Sequence, residues 1–282
     1  MFASSSRDEW VERARRAEEL GYDVVGVADH LGLSAPFPSM ILAAEATDRV
    51  RLKTFVLNTA FYKPLLLARD VITTDRFTDG RIEIGLGAGY IKAEFDAAEM
   101  PFPRPGARVD HLERTVEVLK KTFADPDFEP SPLQQPGPPL MLAGRGDRVL
   151  SLAARHADII GFTGAAASKD GGHPMLADAD GVGERVEYTN SLLGERAESV
   201  SLNVLVQKVV PENERSTVLD ELAPMLTPAA AANIDEVPTF LIGSPQAMAA
   251  RLRERRERFG FTYITVLEDA MDAFAPVIEL LK

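Results

Sequence analysis

The chain has 282 residues, is 45% hydrophobic and carries a formal net charge of -12; this suits one large barrel-type domain and argues against a nucleic-acid or anionic-membrane binder, whose affinity rests on Lys and Arg. It contains no cysteine, so disulfides, cysteine nucleophiles, zinc fingers and iron–sulfur clusters are excluded. The start, MFASSSRDEWVERARR, lacks the basic-then-apolar pattern of a signal peptide, and no apolar run approaches the roughly 18 residues of a membrane helix, so a soluble cytoplasmic protein is expected.

The first predicted element is a helix in DEWVERARRAEEL, with Trp10, Val11, Ala14, Ala17 and Leu20 on one face and Gly21 at its end. YDVVGVADH reads as a short strand, about 38–48 as a second helix and VRLKTFVLN as the next strand. PLLLARDVITTDRF opens a helix on Pro64, TDG is a turn, and RIEIGLG is a strand. After a Pro-rich loop, ARVDHLERTVEVLKKTF is the strongest amphipathic helix, taken to begin near Ala107. PLMLAG, DRVLSLAARH and ADIIGFT follow as strand, helix and strand. A Gly/Asp/Ala-rich loop is expected at 164–181, a helix near 182–196, then the strand VSLNVLVQKVV and broken helical pieces over 211–243. The helix SPQAMAARLRERRERF, the strand TYITVLE and the helix AFAPVIELL end the chain.

Strands alternating with helices demand parallel pairing, and continuously apolar strands demand burial on both faces. Length and repeat count favour a single (β/α)8 TIM barrel over residues 1–282. Seven strands are clear, and only MFASSS stands before the first helix. The first strand is therefore expected to be missing or reduced to Met1-Phe2-Ala3, with the chain beginning downstream of it.

The stretch RIEIGLGAGY puts Gly85, Gly87 and Gly89 on alternate positions at a strand end. A dinucleotide turn needs G-x-G-x-x-G opening directly into a helix, and neither condition is met. Two readings stay open: a bare strand tip that lets a planar ligand lie against it, or small residues packing a barrel interior.

Four stretches carry a likeness to a known family: ARRAEELGYDVVGVADHLG, the long segment from RLKTFVLN through DRFTDGRIEIGLGAGYIKAEFDAAEM to ARVDHLE, PPLMLAGRGDRVLSLAARHADIIGF, and IGSPQAMAARLRERRERFGFTYITV. Together they resemble the bacterial luciferase-like monooxygenase superfamily, in particular its deazaflavin-dependent oxidoreductases. The resemblance implies a luciferase-like barrel that binds a flavin-type cofactor at the C-terminal mouth of its strands, and a homodimer. The implied cofactor is the reduced deazaflavin coenzyme F-420, with FMN as the alternative.

On this resemblance the strand tips supply the site. Asp29 and His30 end VADH, and the histidine matches one that lies near the reactive ring and handles protons, which imidazole suits; on its own it reads as a loop histidine capping a turn. A non-prolyl cis peptide backing the ring is implied at Phe55–Val56, with Asn58 placed to hydrogen-bond a ring carbonyl. Gly87, Ala88 and Gly89 would border the ring, and Tyr90, where several relatives have glutamate, would offer substrate a hydroxyl or an apolar wall. That departure puts a sugar-phosphate substrate in doubt. Gly144, Arg145 and Gly146 offer backbone N–H groups, a helix start and a guanidinium, the best phosphate site in the chain. Arg108 matches a position that holds the flavin phosphate, against the plain reading of a solvated surface charge, and Phe162 and Thr163 complete the sixth tip. Glu268 and Asp269 are read as capping the last helix. The four histidines His30, His111, His156 and His173 show no metal-ligand spacing, and no metal is expected.

The leading function is therefore a flavin- or deazaflavin-dependent oxidoreductase acting on a small organic substrate, by hydride transfer with deazaflavin or monooxygenation with FMN. The polyanionic deazaflavin tail sits uneasily with the chain's acidity, although Lys63, Arg104, Arg145, Arg148 and Lys169 offer a local basic rim. Alternatives are an FMN-binding relative with little or no catalysis and a non-redox phosphate-binding barrel enzyme; the second is weakened by the lack of lysine at the strand tips. The segments 164–181 and 211–243 are candidate substrate lids.

Overall fold

The computed structural model describes residues 6–166, 175–214 and 222–282. Met1-Phe2-Ala3, Lys169 and His173, and with them parts of both candidate lids, lie outside the described residues. The chain falls into two compact units, Met1–Ala143 and Gly144–Lys282.

In the first unit, helix α1 (Arg7–Glu19) begins on Ser6, whose hydroxyl accepts the Glu9 N–H, and buries Trp10, Val11, Ala14 and Ala17 as its periodicity requires. It ends with Gly21 at φ 86°, the left-handed position that glycine takes without cost. The Glu18 carboxylate accepts the backbone N–H groups of Asp48, Arg49 and Val50 and so ties this helix end to the loop before the next strand. Strands β1 (Val24–Val27), β2 (Arg51–Thr54), β4 (Ile82–Gly87) and β5 (Leu140–Ala143) pair in parallel in that order, and the short β3 (Leu57–Asn58) continues β2 along β4. Between them run α2 (Pro36–Ala46), α3 (Pro64–Phe77), α4 (Lys92–Ala97) and α5 (Pro105–Phe123). Every residue of β4 is buried, as its apolar run predicts for a central parallel strand. The DRFTDGR turn after α3 is fixed by Asp75, wholly buried, which accepts the N–H groups of Leu133 and Gln134 and the Gln134 amide.

In the second unit, β6 (Ile159–Phe162), β7 (Ser201–Val206) and β10 (Phe261–Val266) pair in parallel, and β8 (Lys208–Val210) pairs with β9 (Phe240–Ile242) apart from them. The helices among the described residues include α6 (Asp147–His156), α7 (Ala179–Leu193), α8 (Pro228–Ala232), α9 (Pro245–Phe259) and α10 (Met271–Leu281). Leu176, Leu222, Leu226, Ala230, Val237 and Phe240 form a small apolar core of their own.

Three expectations are corrected. The run VSLNVLVQKVV is two strands, because Gln207 turns its N–H to the Thr239 carbonyl at 2.7 Å and the chain leaves the β7 pairing there. The segment 211–243 holds not only helical pieces but the strand β9. The helix after the glycine-rich tip begins at Pro105, and the six-residue α4 precedes it.

Candidate functional site

The glycine-rich tip is explained first by its neighbour. Lys53 pairs with Glu83 and Leu57 with Leu86, so the β2–β3 chain carries one residue more than β4 between these points. That surplus is a bulge, formed around Phe55–Val56, whose peptide bond is cis as the resemblance implies. The bulge fills the space beside β4: a methyl group on Gly85 would stand 2.1 Å from the Thr54 carbonyl oxygen, and one on Gly87 2.8 Å from Val56 Cγ2. Gly89, at φ 72°, has the Asn58 side chain where its Cβ would be, with Oδ1 at 2.1 Å. Of the two readings of RIEIGLGAGY, interior packing accounts for the bareness of Gly85 and Gly87, the adjoining strand occupying the space a side chain would need.

Around this tip the first unit gathers a polar group. Asp29, from the β1 end, accepts the Asn58 N–H at 2.9 Å and the Tyr62 hydroxyl; burial pushes its carboxyl up against both hydrogen bonds. Burial and then the Asp29 charge push the Tyr62 phenol up in turn. His30 is joined to Glu94 of α4 by a hydrogen bond of 2.8 Å from Nδ1 to Oε1. Asn58 turns Oδ1 to the Ala60 N–H, while its Nδ2 is buried without a hydrogen-bond partner. An unmade buried hydrogen bond costs about 1–3 kcal/mol, so this donor calls for an acceptor. Tyr90 is 65% exposed and stands as a wall or lip. Gly87, Ala88 and Gly89 lead from β4 to that lip.

Arg108 departs from its plain reading as a surface charge. It is 8% exposed, lies over the Phe102 ring at 4.2 Å and donates to the Gly89 carbonyl at 2.9 Å and to the Pro103 carbonyl. It is no solvated charge: through Nε and Nη1 it tethers α5 to the β4 tip.

The second unit brings together most of the other candidates. Gly144, Arg145, Phe162 and Thr163 line one small, open cleft, with Gly164 and Arg185 of α7. Gly146 is the cap of α6 and has open space where its Cβ would be. Arg145 donates to the Ala166 carbonyl at 2.6 Å, and Arg185 to Asp147 at 2.6 Å in the first turn of α6. The Arg145 guanidinium beside a helix start is chemistry for an anion, whereas Arg185 is already paired with Asp147 and, at 2.7 Å, with Glu184. Asp269 accepts from Lys208 at 3.0 Å, and α10 has no side-chain cap, so the capping role expected of Glu268 and Asp269 is not found.

Sequence reasoning missed Glu94, Tyr62 and Arg185. Glu94 had a local signal, the dipeptide Glu-Phe in a short polar segment, whose Phe95 is wholly buried. Tyr62 and Arg185 act through partners 33 and 38 positions away, which no local pattern shows. Among the described residues no group of three or more acidic or histidine side chains is placed to hold a metal ion, and no described helix is long and apolar enough to cross a membrane.

A family model described as luciferase-like monooxygenase matches residues 3–191. Over 119 residues the chain is 36% identical to an F420-dependent glucose-6-phosphate dehydrogenase of Kribbella flavida, covering 39% of this chain and 36% of that protein. Over 155 residues it is 28% identical to the oxygenase component of a flavin-dependent trigonelline monooxygenase of Acinetobacter baylyi, covering 49% of this chain and 43% of that protein. The chain thus spans about two fifths of the length of these relatives. The solved coenzyme F420 dependent tetrahydromethanopterin reductase of Methanopyrus kandleri matches with a TM-score of 0.75 at 18% identity, covering 99% of this chain and 96% of that one. At that identity the likeness shows a shared fold, and the luciferase-like (β/α) barrel class expected from the sequence is borne out.

Proposed function

The chain belongs to the luciferase-like monooxygenase family, and from that membership we propose that it is a deazaflavin-dependent oxidoreductase acting on a small organic substrate. The observation that carries the reading is the buried Asn58 Nδ2, a donor without a protein acceptor at the end of β3, whose backbone N–H is held by Asp29 from the β1 end. A carbonyl on a planar ring is the acceptor it fits. In the second unit, taken by itself, the backbone at Gly144 and Gly146 with Arg145 at the start of α6 fits an anionic group. A bound deazaflavin supplies hydride chemistry; the chain supplies orientation, exclusion of water and a proton at His30. Tyr90 borders the substrate in this reading. A homodimer, and a single domain over residues 1–282, are parts of the same proposal.

FMN-dependent monooxygenation is the second reading, favoured by the likeness to the trigonelline monooxygenase component. Two assays separate them. Under anaerobic conditions the protein should pass hydride between deazaflavin and an alcohol or carbonyl panel. With reduced FMN and dioxygen it should only let the flavin reoxidise. Oxygenated product in the second assay and no turnover in the first would replace the leading reading with the other.

A further inference from the structure

Glu94 stands 64 positions from His30 in the sequence and touches it in the fold, with Oε1 2.8 Å from Nδ1. A carboxylate only accepts, so the ring nitrogen facing it carries the hydrogen. The partner at one imidazole nitrogen decides what the other can do. Here Nε2 is left bare in the neutral ring, on a side chain 27% exposed, while Glu94 is 13% exposed. A helix of six residues does not hold its place alone. Phe95 holds it, packed 5.2 Å from Phe61 and 5.0 Å from Phe102.

The chain carries its own contrast. His111 Nε2 faces the Thr59 carbonyl at 2.9 Å and the Tyr62 carbonyl at 3.2 Å. Carbonyls also only accept, so His111 carries its hydrogen on Nε2. The two histidines are set in opposite tautomers.

Resting on the oxidoreductase reading above, we propose that Glu94 is the positioning residue for His30: it fixes the tautomer whose bare Nε2 is open to accept a proton from substrate, and it balances the charge of the imidazolium that results.

The test is a long-range proton–nitrogen correlation spectrum of the histidine rings in labelled, cofactor-free protein, with His30 assigned by its loss in His30→Gln. Wild-type His30 should be protonated at Nδ1 and bare at Nε2, and His111 the reverse. In Glu94→Ala, His30 should lose the fixed assignment while His111 keeps its own. Glu94→Gln, which keeps an accepting oxygen, should retain the tautomer without the charge. Turnover in the anaerobic hydride-transfer assay should fall about 100-fold or more in Glu94→Ala, with cofactor affinity unchanged. Wild-type His30 protonated at Nε2 overturns the positioning role, whatever the variants do. So does an unchanged His30 in a Glu94→Ala protein with an intact His111 signal. If the wild-type protein binds no cofactor, the oxidoreductase reading itself has failed.

Discussion

A methyl group on Gly85 tests whether the neighbouring strand demands the bare backbone. It would stand 2.1 Å from the Thr54 carbonyl oxygen and 3.0 Å from Val56 Cγ1. The two strands cannot simply part there: the buried Thr54 hydroxyl donates to the Gly85 carbonyl at 2.9 Å and accepts its N–H at 2.8 Å. Overpacking costs about 1–3 kcal/mol, and each loosened hydrogen bond adds about 1 kcal/mol. Gly85→Ala should therefore destabilise by roughly 3–5 kcal/mol. Gly87→Ala meets the end of a side chain, Val56 Cγ2 at 2.8 Å, which can turn aside, and should cost about 1–2 kcal/mol. Gly146→Ala meets nothing within 4 Å and should stay within about 0.5 kcal/mol. Thermal unfolding reads these differences at about 2–4 °C per kcal/mol for a chain of this size, so Gly85→Ala should melt roughly 6–20 °C lower. A Gly85→Ala protein melting within about 2 °C of wild type, or a larger loss in Gly146→Ala, would refute the packing argument.

Burial lowers the Lys53 ammonium to about 8. The folded chain thus binds fewer protons than the unfolded one from there up to the ordinary lysine range, and stability should rise with pH across that window. Lys53→Met should remove the rise and stabilise the protein at pH 7 by on the order of 3 kcal/mol, since Glu83 keeps Arg51 at 2.9 Å; denaturant midpoints on both sides of the window check this, and parallel pH profiles contradict it. Burial raises the Asp29 carboxyl, so the folded chain keeps that proton where the unfolded chain has lost it. That contribution is fully present below the ordinary aspartate value of 3.8 and is lost as pH rises to the raised folded value. Asp29→Asn should flatten the melting profile in that acidic window, and an unchanged slope would speak against the shift. Arg145→Ala should weaken binding of inorganic phosphate at the start of α6 by about 1.5–3 kcal/mol, roughly 10- to 150-fold. An unchanged dissociation constant would place the anchor elsewhere.

The alternation of strand and helix was legible because parallel strands buried on both faces leave continuous apolar runs, as IEIGLG and IIGF do, and helices such as VDHLERTVEVL leave a 3.6-residue stripe. What escaped had no such periodicity. Helix α4 is short and polar, and a single residue, Phe95, fixes it to the core. Strand β9 is three residues long and pairs with the continuation of an apolar run already assigned to one strand. The break at Gln207 is set by a carbonyl 32 residues away. In the site, residue types were legible and partners were not. His30 was chosen from its place at a strand tip, while its orientation depends on Glu94. Arg108 was read through the resemblance as a phosphate ligand; its Nε and Nη1 donate to the Gly89 and Pro103 carbonyls, contacts only the folded loop creates.

Equilibrium titration of the folded protein with oxidised deazaflavin and with FMN, followed by quenching of ring fluorescence, tests the central claim most directly. The account predicts submicromolar binding of the deazaflavin, weaker binding of FMN, and loss of affinity in Asn58→Leu, which removes the buried Nδ2 donor. Binding of neither ligand by a sample with a cooperative unfolding transition would contradict it.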